Sequence, residues 1–133
     1  MKNSNKGNQM RIISTLNAPQ AIGPYSQAIV VNGLVYTSGQ IGLTPNGKMS
    51  GDDIESQTHQ VMRNLSKVLE EAGSDLGHVI KTTIFLEGMH DFEQVNKIYT
   101  LYFGHHKPAR STVAVKTLPR NALVEIDCIA VVI

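Results

Sequence analysis

The chain has a single cysteine, and only 17% of its residues are charged and 5% aromatic. Each scarcity excludes something. One cysteine, Cys128, cannot close an internal disulfide, and no Cys/His cluster has the spacing of a structural zinc site, so neither bridges nor a metal hold this fold. No apolar run approaches the roughly 18 residues that a membrane-spanning helix needs. Twelve basic side chains against eleven acidic ones, a net charge of +1, leave no electrostatic footprint for nucleic acid. GxGxxG, a P-loop, G-x-S-x-G and HExxH are all missing, which removes the usual dinucleotide, nucleotide-phosphate, serine-nucleophile and zinc-protease signatures.

A chain of 133 residues makes one domain, of a size that buries roughly two thirds of its unfolded surface in a single core. Soluble domains average about 25% charged residues. A charge-poor domain this small points to surface that meets another subunit. The charge is also unevenly placed: residues 1–51 hold four basic and no acidic side chains, and residues 52–133 eight basic and eleven acidic ones. Residues 1–10, MKNSNKGNQM, lack both the arginines and the amphipathic stripe of a transit peptide, so they read as a solvated extension, with one domain over residues 11–133. With no secretory h-region, a cytoplasmic setting is expected.

Arg11 to Thr15 fits a short strand, followed by a Pro- and Gly-punctuated loop to Pro24. Ser26 to Val31 and Leu34 to Ser38 are β-branched runs around Asn32-Gly33, the pair that a type I′ hairpin turn demands because both central residues need φ > 0. Pro45-Asn46-Gly47 marks another turn. From Ile54 the period changes: Ile54, Thr58, Val61, Leu65, Val68 or Leu69, and Ala72 predict a helix of about five turns. Asp52 with Glu55 fits its acidic cap, and Gly73 its C′ stop. Val79 to Leu86 reads as a central strand. A second helix carries Phe92, Val95, Ile98 or Tyr99, and Tyr102, from Asp91 and Gln94 to Gly104. Ser111 to Thr117 and Leu123 to Val132 close the chain as strands around Pro119-Arg120-Asn121. The order predicts an α+β fold, a mixed β-sheet with two helices on one face. Strands such as Ile126 to Ile133, apolar or small on both parities, require the other face to be buried against further copies.

Few residues offer chemistry. The histidines at 59, 78, 90, 105 and 106 are scattered, so no metal site is expected. Cys128, in an alternating strand with no basic neighbour in sequence, reads as a small buried hydrophobe. Two charges break their surroundings. Arg110, after Pro108-Ala109 at a strand entrance, can present a guanidinium fork to a carboxylate. Glu125 sits in LVEIDCIAV, where a carboxylate is costly unless paired, hydrogen-bonded or working. On spacing alone the two also read as an ion pair or as exposed strand residues. Tyr25 follows Gly23-Pro24 as a loop aromatic, and Ser38-Gly39-Gln40 ends a strand where bare backbone N–H groups can line a pocket.

Ala21-Ile22-Gly23-Pro24-Tyr25-Ser26-Gln27-Ala28, Thr37-Ser38-Gly39-Gln40-Ile41, Lys81-Thr82-Thr83-Ile84-Phe85-Leu86, Asp91-Phe92 with Val95-Asn96, and Pro108-Ala109-Arg110-Ser111 followed by Val124-Glu125-Ile126 together resemble the RidA (YjgF) family of enamine/imine deaminases. The resemblance runs from about residue 11 to the C-terminus. It implies a chorismate-mutase-like fold in a homotrimeric barrel, with pockets between neighbouring subunits. It also implies a cofactor-free 2-iminobutanoate/2-iminopropanoate deaminase, which hydrolyses reactive 2-enamino and 2-imino acids such as 2-aminoacrylate and its imine to 2-keto acids and ammonia. By the same resemblance Arg110 binds the substrate carboxylate, Glu125 orients water and passes a proton, and Tyr25 walls the pocket. Ser38, Gly39 and Thr112 contribute groups to it, and Asn96 matches a family asparagine that either binds substrate or supports the loops. Thr112 stands where many members have cysteine, and the loop Gly104-His105-His106-Lys107 is shorter than in close bacterial members, lacking the aromatic usual before the proline. The alternative is a non-catalytic trimeric protein that binds a small ligand or regulates. An RNA-cleaving role finds no basic, aromatic-interleaved stripe.

Overall fold

Alternation between covered and open positions in the strands, and a stripe along each helix, build two layers. The computed structural model of the protein describes residues 9–133; most of the expected N-terminal extension lies outside the described residues. Six strands, β1 (Arg11–Ile13), β2 (Ala28–Val31), β3 (Leu34–Thr37), β4 (Val79–Leu86), β5 (Ala109–Ala114) and β6 (Val124–Val131), form one sheet in the order β1-β2-β3-β6-β4-β5. Neighbours run antiparallel except β4 and β5, which are parallel. The parallel pair is joined through α2 (Phe92–Phe103), and α1 (Ile54–Glu71) lies between β3 and β4 in the chain. The fold is α+β, as the sequence pattern implies. No helix among the described residues is long and apolar enough to cross a membrane.

The hairpin turn carries Asn32 at φ 54° and Gly33 at φ 77°, the left-handed pair its sequence demands. Strand ends differ from the sequence reading in both directions. β1 stops at Ile13 because Thr15 is captured by Gln27: its N–H donates to Gln27 Oε1 at 2.7 Å and its carbonyl accepts from Gln27 Nε2 at 3.1 Å. Gln27, at 3% exposure, therefore pins the following loop to β2. β5 begins at Ala109, two residues earlier than expected, so Arg110 lies within the ladder opposite Thr82.

α1 buries Val61, Met62, Leu65, Val68 and Leu69. Its cap is Asp53, not Asp52: Asp53 Oδ2 accepts from the Ser56 N–H at 2.8 Å and Oδ1 from the Ser56 hydroxyl at 2.7 Å. Asp-x-x-Ser closes the box, and Glu55 has no part in it. The C-terminus is a complete Schellman turn, with Gly73 at φ 83°, its N–H on the Glu70 carbonyl and the Ser74 N–H on that of Leu69. Asp91 makes no side-chain cap, because a 3₁₀ turn, Met89–Asp91, leads straight into α2. Buried amides tie α1 to the loop after β3: Gln57 Nε2 donates to the Gly51 carbonyl at 2.9 Å and Asn64 Nδ2 to that of Leu43 at 2.8 Å. That loop leaves β3 through Gly39, so these bonds also fix the strand end.

Both helices cover one face of the sheet, where Ala28, Val35, Thr82, Ile84, Leu86, Val124, Ile126, Cys128 and Ala130 are buried. The Thr82 hydroxyl meets the Tyr99 hydroxyl of α2 at 2.8 Å. The other face has no covering layer among the described residues. It carries Ile12, Ile29, Tyr36, Phe85, Val113, Ile129 and Val131, with Ile12 70% and Tyr36 43% exposed.

Candidate active site

The ladder registers place the two pattern-breaking charges on opposite faces. Arg110 pairs with Thr82 and therefore shares the helix-covered face. Glu125 pairs with Phe85, three residues along β4 and on the opposite parity, so it stands on the open face. An ion pair between them within one chain is thereby excluded.

The Arg110 guanidinium packs against the helix α2. Nη1 donates to Asn96 Oδ1 at 2.8 Å, and the guanidinium carbon lies 5.0 Å from the Tyr99 ring centre and 5.6 Å from that of Phe92. One hydrogen bond and two aromatic faces fix the plane of the fork and leave its remaining N–H groups free for an oxyanion. Thr112, two residues on and facing the same side, has a buried Oγ1 with no hydrogen-bond partner. Because β5 is an edge strand, the outward N–H and C=O groups of its backbone have no ladder partner among the described residues.

On the open face, Glu125 forms a second centre with Tyr25 and Gly39. The three line a cavity of about 100 Å³, walled also by Pro19, Ile22 and Leu43. A side chain at Gly39 would have its Cβ 2.7 Å from Glu125 Cδ and 2.9 Å from Cγ, so the carboxylate rests directly on the bare strand end and any side chain there would displace it. Burial pushes the Glu125 carboxyl above the ordinary carboxylate value, and the charge of Asp127 on the same face pushes the same way. Tyr25 is 52% exposed at the cavity mouth. The Ser38 hydroxyl donates to the Ser26 carbonyl across the hairpin, so Ser38 can offer a ligand little beyond its remaining lone pairs.

The structure thus brings Tyr25, Gly39 and Glu125 together, and separately Arg110, Asn96 and Thr112. Cys128 faces the core beside the Thr37 hydroxyl, and burial pushes its thiol up to about 12, which suits a packed hydrophobe and not a nucleophile. Sequence reasoning missed Arg120, which lines the Glu125 cavity from a left-handed turn (φ 60°), and Asp127. Asp127 was legible as the second carboxylate of E-I-D, on the parity of Glu125.

Six mixed strands with two helices on one face make an α+β fold that solved structures of the YjgF type share. Residues 15–132 match the family model described as Endoribonuclease L-PSP. The chain is 57% identical, over 91% of its length and 97% of the other's, to a candidate regulator, AldR, of Lactococcus lactis. It is 46% identical to the 2-iminobutanoate/2-iminopropanoate deaminase of Mus musculus, covering 91% of this chain and 90% of that one. It is 50% identical over 90% of its length to Reactive Intermediate Deaminase A, chloroplastic, of Arabidopsis thaliana, and spans 64% of that protein. Yeast Mmf1 has the same fold, with a TM-score of 0.92 at 40% identity, over 94% of this chain and 100% of that one. Escherichia coli TdcF with bound serine gives 0.87 at 38% identity, over 91% and 98%. The chain belongs to the RidA/YjgF family.

Proposed function

We propose that this chain is a cofactor-free enamine/imine deaminase that hydrolyses small 2-imino and 2-enamino acids to 2-keto acids and ammonia, and that its sites are built between copies of a homotrimer. The observation that carries the reading is the division of the site: an anion-binding fork on one face of the sheet and a desolvated carboxylate on the other. Neither face alone holds a complete site, whereas a second copy laid against the open face brings its own Arg110 toward this copy's Glu125. The apolar open face, with Ile12, Tyr36 and Val131 exposed, is the surface such a copy covers. Deaminase names among relatives at 42–50% identity, and serine bound to TdcF, support the substrate class.

The reaction asks little of the protein because the imine carbon is already electrophilic. Arg110 holds the substrate carboxylate through the N–H groups that Asn96 leaves free, with backbone groups near Gly39 and Thr112 completing the pocket. Glu125 accepts a hydrogen bond from water and takes its proton as the oxygen bonds to the imine carbon; the C=N π pair moves to nitrogen, and Glu125 passes the proton to it. The carbinolamine then collapses. Glu125 takes the hydroxyl proton as C=O forms and gives that proton to the amine nitrogen as the C–N bond breaks, which releases ammonia and returns the carboxylate. Tyr25 shields the cavity from bulk water.

A serine or threonine dehydratase releasing the enamine tests this, with pyruvate or 2-ketobutyrate appearance timed with and without the protein. Acceleration proportional to protein concentration is expected. No acceleration by the purified chain would leave the alternative, a ligand-binding regulator, which the AldR similarity favours; equilibrium binding of 2-ketobutyrate without turnover marks that outcome.

A further inference from the structure

Beside Glu125, the open face of β4 and β6 carries two charges, Asp127 and Lys81, that the proposed reaction does not itself use. Asp127 lies two residues from Glu125 on the same face of β6, opposite Thr83 of β4. Lys81 is paired with Ile129, one diagonal step further along the ladder from Asp127. Lys81 keeps the open-face parity of Thr83 and Phe85, and a bulge just before it, where the register shifts between Val79 and Lys81, turns Val79 into the core. The row therefore reads Lys81, Asp127, Glu125, with alternating nearest neighbours of opposite and like sign, on half-buried positions where charges are weakly screened.

We propose that Asp127 and Lys81 are positioning residues that set the acid–base state of the Glu125 carboxyl, Asp127 holding its proton on and Lys81 limiting that effect. The proposal rests on the reading of Glu125 as the acid–base group. Asp127 is the sole like charge adjacent to Glu125 on β6, and at this spacing one ionised carboxylate disfavours ionisation of the other. Lys81 lies beyond Asp127, so its attraction favours the ionised forms of both. The directions agree with the geometry: Asp127 is itself raised by burial and lowered by Lys81 and the Thr83 hydroxyl. Among the described residues the other titratable or charged groups facing Glu125 are few. Tyr25 and Arg120 share its cavity, Glu87 follows the end of β4, and Tyr36 of β3 stands opposite Ile129. In the trimer the neighbour's Arg110 joins them. A carboxyl that both takes a proton from water and returns it to ammonia works best with its midpoint drawn toward neutrality, which this row provides.

The test is a ¹³C titration of the Glu125 carboxyl in the full chain and in Asp127→Asn and Lys81→Met, paired with the pH profile of kcat/KM. Asp127→Asn should lower the Glu125 midpoint by about half to one pH unit, and Lys81→Met should raise it, since removing a like and an opposite charge act in opposite senses. Asp127→Glu keeps the charge and should keep the midpoint. The acid limb of kcat/KM should follow each shift. A midpoint that moves by less than about 0.2 unit in both variants, or in the same direction in both, overturns the proposal. A midpoint that moves as expected in a protein without deaminase activity upholds the charge row and removes the proposed reaction instead.

Discussion

Arg110 donates from Nη1 to Asn96 Oδ1 at 2.8 Å while its guanidinium lies over the Tyr99 ring. α2 thus orients the fork that the neighbouring strand β5 presents. Removing it should cost transition-state binding of about 2–4 kcal/mol, because a charged bidentate contact is lost: Arg110→Ala should fall roughly 30- to 1000-fold in kcat/KM. Arg110→Lys should recover little, since a point ammonium neither forks nor stacks. Asn96→Ala should cost about 3- to 10-fold, chiefly in KM, and nothing further when Arg110 is already alanine. Steady-state rates on the dehydratase-coupled substrate decide this. An Arg110→Ala enzyme as active as its parent removes the clamp, and an additive double variant separates Asn96 from it.

Gly39 tests the other centre. Its missing side chain is the floor on which the Glu125 carboxylate rests, so Gly39→Ala must move the carboxylate or the strand end. Because the group displaced is the outer part of a flexible side chain, the cost in stability should be small and the cost in activity large. The activity loss should approach that of Glu125→Gln, while the alanine protein stays folded by circular dichroism. Full activity in Gly39→Ala would show that the observed carboxylate position is not the working one.

The raised Glu125 carboxyl has a stability consequence whose sign is fixed. The folded chain holds this proton more tightly than the unfolded chain, so across the interval between the unfolded and folded midpoints stability falls as pH rises. Below the ordinary glutamate value the penalty is absent, and above the folded midpoint it is fully present. Glu125→Gln should therefore raise Tm at pH 7 while abolishing turnover, and should leave Tm nearly unchanged at pH 3.5. Asp127, raised by the same desolvation, should behave alike on Asp127→Asn. Thermal melts across pH 3.5–8 check both; a glutamine variant less stable than its parent at pH 7 would mean that the carboxylate is held by favourable contacts.

How much of this was legible follows from which signals are local. The hairpin at Asn32-Gly33, the stripe of α1 and the Gly73 stop depend on neighbours in sequence, and each stands where the pattern puts it. The cap moved by one residue because Asp52 and Asp53 are both competent, and the choice lay with Ser56. β1 is short because Gln27, twelve residues from Thr15, outcompetes the ladder, which no local pattern reveals. The site shows the same division. Arg110 and Glu125 stand out as charges among apolar neighbours, but their placement on opposite faces follows from pairing Thr82 with Arg110 and Phe85 with Glu125, a register set across the sheet. Val79 owes its burial, against the alternation of Lys81, Thr83 and Phe85, to a bulge that the run Val79 to Leu86 does not announce.

Opposite faces yield one prediction that no single-chain site shares. If each site takes its arginine from one copy and its glutamate from the next, Arg110→Ala and Glu125→Gln are each inactive alone but complement when mixed. In a trimer assembled at random from equal amounts, a site is intact when its arginine comes from a Glu125→Gln subunit and its glutamate from an Arg110→Ala subunit, which is about one quarter of all sites. Denaturing the two variants together and refolding them should therefore restore about a quarter of the parental rate, whereas mixing folded trimers should restore none until subunits exchange. Light scattering on the same samples should give three times the 14.5 kDa chain mass. If the co-refolded mixture stays as inactive as its components while remaining trimeric, the two residues do not share a site across the interface, and the division of the sheet into two faces has another purpose.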